Sequence, residues 1–338
     1  MNSVAIQHPS AADEFRPPRW LRNHHLQSML ASTSWRRAGV FARARPLIAS
    51  ARELTLECGG GVRLQCFLST PARPAAHAPV VLLHGWEGSA ESLYVLSLAS
   101  LLYAQGFEVV RLNLRDHGET HHLNRDLFHS CRLPEVVGAV HALQHSHLGG
   151  RPLQLAGFSL GGNFRLRVAA EAPAAGIELA RVVAVSPVLD PPQTLIALQS
   201  GFPGYEMYFV RKWLRSLRKK QAAWPQVYDF REIERMRDLR TMTAELVRHY
   251  TEFPSLEDYL NGYAITGARL AQLTVPSSII TSSDDPIIPV GGLGQLARTP
   301  ALSVSVTRFG GHCGFFERLR SPNWLERRMV SELGGSAP

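Results

Sequence analysis

Lysine is nearly missing from this chain. Only Lys212, Lys219 and Lys220 occur among its 36 basic side chains, so the net charge of +8 over 338 residues is carried almost wholly by arginine. Cysteine is scarce as well. Cys58, Cys66, Cys131 and Cys313 form no C-x-x-C pair and no His/Cys zinc spacing, which argues for reduced, mostly buried thiols. No stretch approaches the roughly 18 apolar residues of a membrane span. The first eighteen residues lack the apolar core of a secretory signal. The expectation is a cytoplasmic protein, with contact to a membrane surface left open. The fourteen histidines include no H-E-x-x-H, and His121-His122 with His129, or His141 with His145, lack an acid to complete a ligand set. No metal site is expected.

What is present is an ordinary folded composition, 45% hydrophobic and 19% charged, which excludes disorder and collagen. A basic protein invites a nucleic-acid reading, so the placement of charge matters. Residues 1–50 hold seven arginines and two acids, and residues 201–250 hold eleven basic residues and six acids. Each segment is net +5, and the remainder is net −2. The basicity therefore belongs to two segments, not to the body, and no nucleic-acid partner is expected. Peripheral contact with an acidic membrane surface through these two segments remains a candidate, and oligomeric state is not legible.

Along the chain, residues 53–58 and 62–68 alternate apolar and polar positions around Gly59-Gly60-Gly61, which predicts a β-hairpin. Val80-Val81-Leu82-Leu83 reads as a strand buried on both faces. Helical and strand patterns then alternate through residue 185, stop between 191 and 273, and resume with strands at 277–281 and 303–309 and a helix at 324–333. In the interruption, 208–220 and 230–240 read as helix-like. Repeated βα units predict an α/β fold with a mostly parallel sheet and helices on both faces. The expected organisation is a basic arm (1–50) packing on a core (51–190 and 274–338) that carries a helical lid insertion (191–273).

The sharpest motif is Gly157-Phe158-Ser159-Leu160-Gly161, after the apolar stretch 153–156 and before a helical pattern. In such a strand–turn–helix elbow, glycines let the chain turn tightly and leave the serine exposed above the sheet. A serine hydroxyl needs a base, and the base needs an orienting acid. Both follow in the chain: Asp284-Asp285-Pro286 after the strand 277–281, and Gly310-Gly311-His312 after the strand ending at 309. Ser159, Asp285 and His312 are the expected triad, with Asp284 bracing the loop. His84-Gly85-Trp86-Glu87-Gly88 ends the buried strand, so the backbone amides of Trp86 and Leu160 are the expected oxyanion donors. His84 precedes the nucleophile and is assigned to bracing its loop.

With Trp20-Leu21-Arg22-Asn23-His24-His25-Leu26-Gln27-Ser28 added to these motifs, the chain resembles the α/β-hydrolase superfamily, and within it the YheT-like branch related to animal ABHD lipid hydrolases. The resemblance implies an α/β-hydrolase fold and a serine hydrolase of short- to medium-chain carboxylic esters. It also implies that no metal or organic cofactor is needed. Phe202, Tyr205, Tyr208 and Trp213 are candidates for acyl contacts from the lid. Two alternatives stand beside this expectation: an acyltransferase on the same triad, and an anionic-surface binder whose triad is vestigial.

Overall fold

The computed structural model describes residues 6–7, 15–74, 77–319 and 322–335. Among them, nine strands form one sheet: β1 (Ile6–Gln7), β2 (Ala51–Glu57), β3 (Arg63–Ser69), β4 (Val80–Leu83), β5 (Val109–Leu112), β6 (Leu153–Phe158), β7 (Leu179–Val185), β8 (Ser277–Ser282) and β9 (Leu302–Thr307). Their order is β1-β9-β8-β7-β6-β4-β5-β3-β2. Every pairing from β1 to β5 is parallel, and β3 joins antiparallel to both β5 and β2. The predicted hairpin is thus the antiparallel edge, turned by three glycines that all adopt positive φ.

β4 is where the winding reverses: the chain leaves it for β5 on one side and reaches β6 on the other. Loops from such a point diverge and leave a crevice beyond the carboxyl ends of the strands. All four β4 residues and all six of β6 are buried, as continuous apolar runs require. Val80 and Leu82 face a cluster with α2 (Arg37–Ala49), α3 (Leu93–Ala104) and α10 (Trp324–Leu333). Val81 and Leu83 face the opposite cluster with α4 (Leu133–Ala142) and α5 (Leu160–Glu171). The strand period of two therefore builds two cores from one sheet.

The stretch without strands folds as α6 (Pro191–Ser200), α7 (Pro203–Ala223), α8 (Leu239–Tyr250) and α9 (Leu256–Gly262), between β7 and β8. The helix-like pattern at 230–240 is a correction: a 3-10 turn, Ile233–Arg235, forms there, and the α-helix starts only at Leu239. Helix α8 begins at Leu239 because the Asp238 carboxylate accepts the Thr241 amide as an N-cap. On α7, Tyr205, Val210, Leu214 and Leu217 are buried while Met207, Arg211, Arg215 and Arg218 are exposed, a helical division of faces.

All three lysines lie on α7, and each reaches the core. Lys212 donates to the Glu87 carbonyl, and Lys219 pairs with Glu119 at 2.6 Å. Lys220 is fully buried, with Nζ 2.8 Å from Asp116 Oδ1, 2.7 Å from the Asn124 carbonyl and 2.9 Å from the Asp126 carbonyl. Three ammonium donors meet three acceptors, and the insertion is fastened to the loops after β4 and β5. The four cysteines are free, and burial pushes the Cys58 and Cys66 thiols up to about 12, so they stay protonated.

Candidate active site

Residues with positive φ that are not glycine collect at one rim: Glu87 after β4, Asp116 after β5, Ser159 after β6, Ser186 after β7, and Cys313 and Phe315 after β9. The crevice beyond the strand ends is thus where the backbone is strained. Ser159 has φ 54° and ψ −121°, held by its amide to the Val185 carbonyl at 2.8 Å and by the Asn163 amide returning to its own carbonyl at 3.0 Å. A Cβ on Gly161 would fall on the carbonyl oxygens of Leu83 and His84, and one on Gly157 would meet the Gly161 backbone. The two glycines flanking the turn are therefore steric requirements of α5 crossing β4 so closely.

Across the rim, His312 Nδ1 lies 2.9 Å from Asp285 Oδ2 and 3.2 Å from Oδ1. Asp285 Oδ1 also accepts the amides of Ile287 and Ile288, each at 2.9 Å, and its side chain is 0% exposed. A buried carboxylate held by two amides and an imidazole is fixed in orientation. Burial opposes charge on His312, but the Asp285 carboxylate and Cys313 outweigh it and hold the imidazole well above its usual range. Asp284 takes a different part: its Oδ1 accepts the Gly311 amide at 2.9 Å and braces the loop that carries His312. The Cys313 sulfur approaches the Val185 carbonyl that also receives the Ser159 amide, so the two loops meet on one oxygen.

The loop after β4 is organised around Trp86. The Gly85 amide donates to the Tyr94 hydroxyl at 3.0 Å, and the Glu87 amide donates to His117 Nε2 at 3.2 Å. The Trp86 amide between them has no acceptor among the described residues. His117 can accept because its Nδ1–H donates to the Arg115 carbonyl at 2.7 Å, and burial lowers its pKa to about 4. His84 follows the same logic, its Nδ1–H donating to the Gly85 carbonyl at 2.8 Å while Nε2 accepts the Leu114 amide at 3.2 Å. Both of its nitrogens are occupied in bracing the loop. The Leu160 amide is the first of α5, where the helix dipole favours negative charge.

Ser159 and Leu160 open into a cavity of about 110 Å3 under the insertion. Its walls are mainly apolar: Trp86, Phe209 and Trp213 on one side, Leu195, Leu198 and Leu260 on another, with Ser130, Thr243 and Tyr259 among the few polar groups. Of the four aromatic candidates, only Trp213 lines it. Phe202, Tyr205 and Tyr208 do not: Phe202 and Tyr205, at the N-terminal end of α7, face His25 instead, and Tyr208 is exposed. Phe209, stacked on Trp86 at 5.3 Å, takes the place expected of them. Among the described residues, no group of three or more His, Cys, Asp or Glu side chains could hold a metal ion.

A family model described as the alpha/beta hydrolase fold matches residues 78–319, from β4 past His312. The chain belongs to the alpha/beta hydrolase family. This hydrolase is 26% identical over 336 residues to YheT of Escherichia coli (strain K12), an esterase by name, across 96% of this chain and 94% of the relative. It is 21% identical to phospholipase ABHD3 of Mus musculus, across 94% of this chain and 78% of the relative. The crystal structure of 2,6-dihydroxy-pseudo-oxynicotine hydrolase superposes with a TM-score of 0.56 at 18% identity, covering 90% of this chain and 75% of that one. The YheT-like resemblance thus runs nearly end to end.

The hydrolase also holds His312 from a direction that sequence reasoning missed. Helix α1 (His24–Leu30), capped by Asn23, lies against the His312 loop. Ser28 Oγ accepts the His312 amide at 2.8 Å while donating to the His24 carbonyl at 2.7 Å. Gln27 accepts the Phe316 amide at 2.6 Å and donates to the Leu21 and Phe316 carbonyls at 2.6 and 2.9 Å. A Cβ on Gly311 would strike the His24 carbonyl, which accounts for the glycine before the histidine. The motif at 20–28 carried the signal as a resemblance, but nothing in its spacing says which loop it grips.

Proposed function

We propose that the chain is a serine hydrolase of carboxylic esters with short to medium acyl chains. Ser159 Oγ attacks the acyl carbon while His312 takes its proton, and Asp285 orients and stabilises the imidazolium. The amides of Trp86 and Leu160 hold the oxyanion, a contribution of about 2.7–4 kcal/mol for each such donor. Collapse of the tetrahedral intermediate expels the alcohol, which takes the proton from His312, and leaves an acyl group on Ser159. Water, deprotonated by His312, then releases the acid and restores the serine. The acyl chain occupies the apolar cavity, and the insertion acts as its lid.

The observation that carries this reading is the His312–Asp285 pair at 2.9 Å, on the same rim as a strained serine that opens into an apolar cavity. The esterase and phospholipase names of the relatives agree with it. An acyl series of p-nitrophenyl esters tests it: turnover should fall once the chain outgrows the cavity and vanish in Ser159→Ala. Turnover that survives Ser159→Ala would overturn the mechanism, and rates that keep rising through long chains would overturn the acyl range.

A further inference from the structure

Exposed apolar side chains and excess positive charge occupy the same two segments. Of the ten large apolar side chains that stand exposed among the described residues, nine belong to 15–50 or 191–273, and only Leu319 belongs to the body. A monomeric surface scatters such residues singly, and their concentration in two touching segments marks an interaction site. The segments do touch. His25 Nδ1 lies 2.9 Å from the Tyr205 hydroxyl, and its ring centroid is 5.1 Å from that of Phe202. Met29 is one turn beyond His25 on α1, and Tyr208 is one turn beyond Tyr205 on α7, so Met29, Phe202 and Tyr208 border the junction. With Met207, these four are 45 to 51% exposed.

The charge beside this patch is of a particular kind. The lysines of α7 all turn to the core and Arg218 pairs with Glu234 at 2.8 Å, but Arg211 and Arg215 are exposed and have no ion pair among the described residues. Down the outer face of α7, apolar Met207 and Tyr208 thus give way to two unpaired guanidinium groups at i, i+4 spacing. The opposite face of the same helix carries Phe209 and Trp213 into the cavity.

We infer that this junction of α1 and α7 is a docking surface for a bilayer containing anionic lipid. Met29, Phe202, Met207 and Tyr208 enter the headgroup–acyl boundary, and Arg211 and Arg215 lie at the level of the phosphates, where guanidinium geometry suits bidentate binding. Arginine is better suited to that place than lysine, which is more strongly hydrated. Insofar as the surface delivers substrate, the inference rests on the ester-hydrolase reading and identifies the ester as one drawn from a lipid surface across α7.

Cosedimentation with vesicles tests it, using phosphatidylcholine alone and phosphatidylcholine with roughly one-third phosphatidylglycerol, at low and high salt. The parent protein should bind the anionic vesicles, bind the neutral ones weakly, and detach as salt rises. Reversing both arginines, Arg211→Glu with Arg215→Glu, should lower partition by about thirtyfold or more. Met29→Ser with Phe202→Ser should lower it in both salts. Both pairs should retain hydrolysis of water-soluble p-nitrophenyl acetate, since none of these side chains lines the cavity. Ser159→Ala should bind vesicles like the parent, so loss of docking and loss of catalysis are read separately. Equal binding to both vesicle types, either pair binding like the parent, cosedimentation with RNA in place of vesicles, or self-association abolished by the same substitutions would overturn the inference.

Discussion

Lys220→Met should destabilise the protein and loosen the cavity wall together. The ammonium sits in full burial against Asp116 and two backbone carbonyls, and Asp116 Oδ2 accepts the amide of Phe128, whose side chain lines the cavity. Burial already pushes the Asp116 carboxyl up to about 6 and the Lys220 ammonium down, so each charge depends on the other. Methionine fills the volume but leaves Asp116 buried without its cation, a loss of about 3–5 kcal/mol for a broken buried pair. At roughly 2.1 cal/mol/K of unfolding entropy per residue, the chain carries about 0.7 kcal/mol/K, so Tm should fall by about 4–7 °C. Calorimetry on the single variant and on Lys220→Met/Asp116→Asn provides the check. The double variant should recover most of the loss, because a neutral amide still accepts from Phe128 and tolerates positive φ. A Tm within about 2 °C of the parent, or a double variant no better than the single, would refute the argument.

Because Asp285 and Cys313 raise the His312 pKa above 6.5, the catalytically useful neutral imidazole appears only as pH climbs through that raised value. The acid limb of kcat/KM should therefore lie above pH 6.5. The linked stability is fully present below 6.5 and is lost as pH passes the folded pKa. Asp285→Asn should move the limb downward and reduce kcat by about a thousandfold or more, measured on p-nitrophenyl butyrate across pH. Ser28→Ala leaves the His312 amide without its acceptor, at about 1–3 kcal/mol. It should lower kcat about tenfold with KM little changed, and Ser28→Thr should restore it.

The succession of strands along the chain from β2 onward and the place of Ser159 after β6 were legible from buried apolar stretches, and Asp285 and His312 were sought in the loops after the two later strands. Burial on both faces of β4 and β6 leaves a plain hydropathy signal, and the motif residues come directly after it. The glycine flanks were legible for the same reason, since close backbone approach admits no side chain. The 230–240 stretch misled because its charges mimic a helix period, whereas the helix start is set by one cap, Asp238. The occupied amides around Trp86 were out of reach. Tyr94 and His117 meet that loop through tertiary contact, and no spacing in the chain announces it. The grip of Ser28 on His312, 284 residues away, is invisible for the same reason. The choice of acyl-contact aromatics failed at Phe202 and Tyr205, which meet His25 of α1, and at Tyr208, which is exposed, because composition does not say what an aromatic packs against.

The confinement of lysine to α7 gives the protein a natural reporter. A lysine-specific protease has only three bonds to cut, all within one helix, and the side chains at those bonds are engaged with Glu87, Glu119 and Asp116 of the core. Cleavage there requires α7 to leave its seat, so the cutting rate measures how often the insertion opens, with no label and no engineered site. Amine-directed acylating reagents read the same event at Lys220, and a bound occupant of the cavity should slow both.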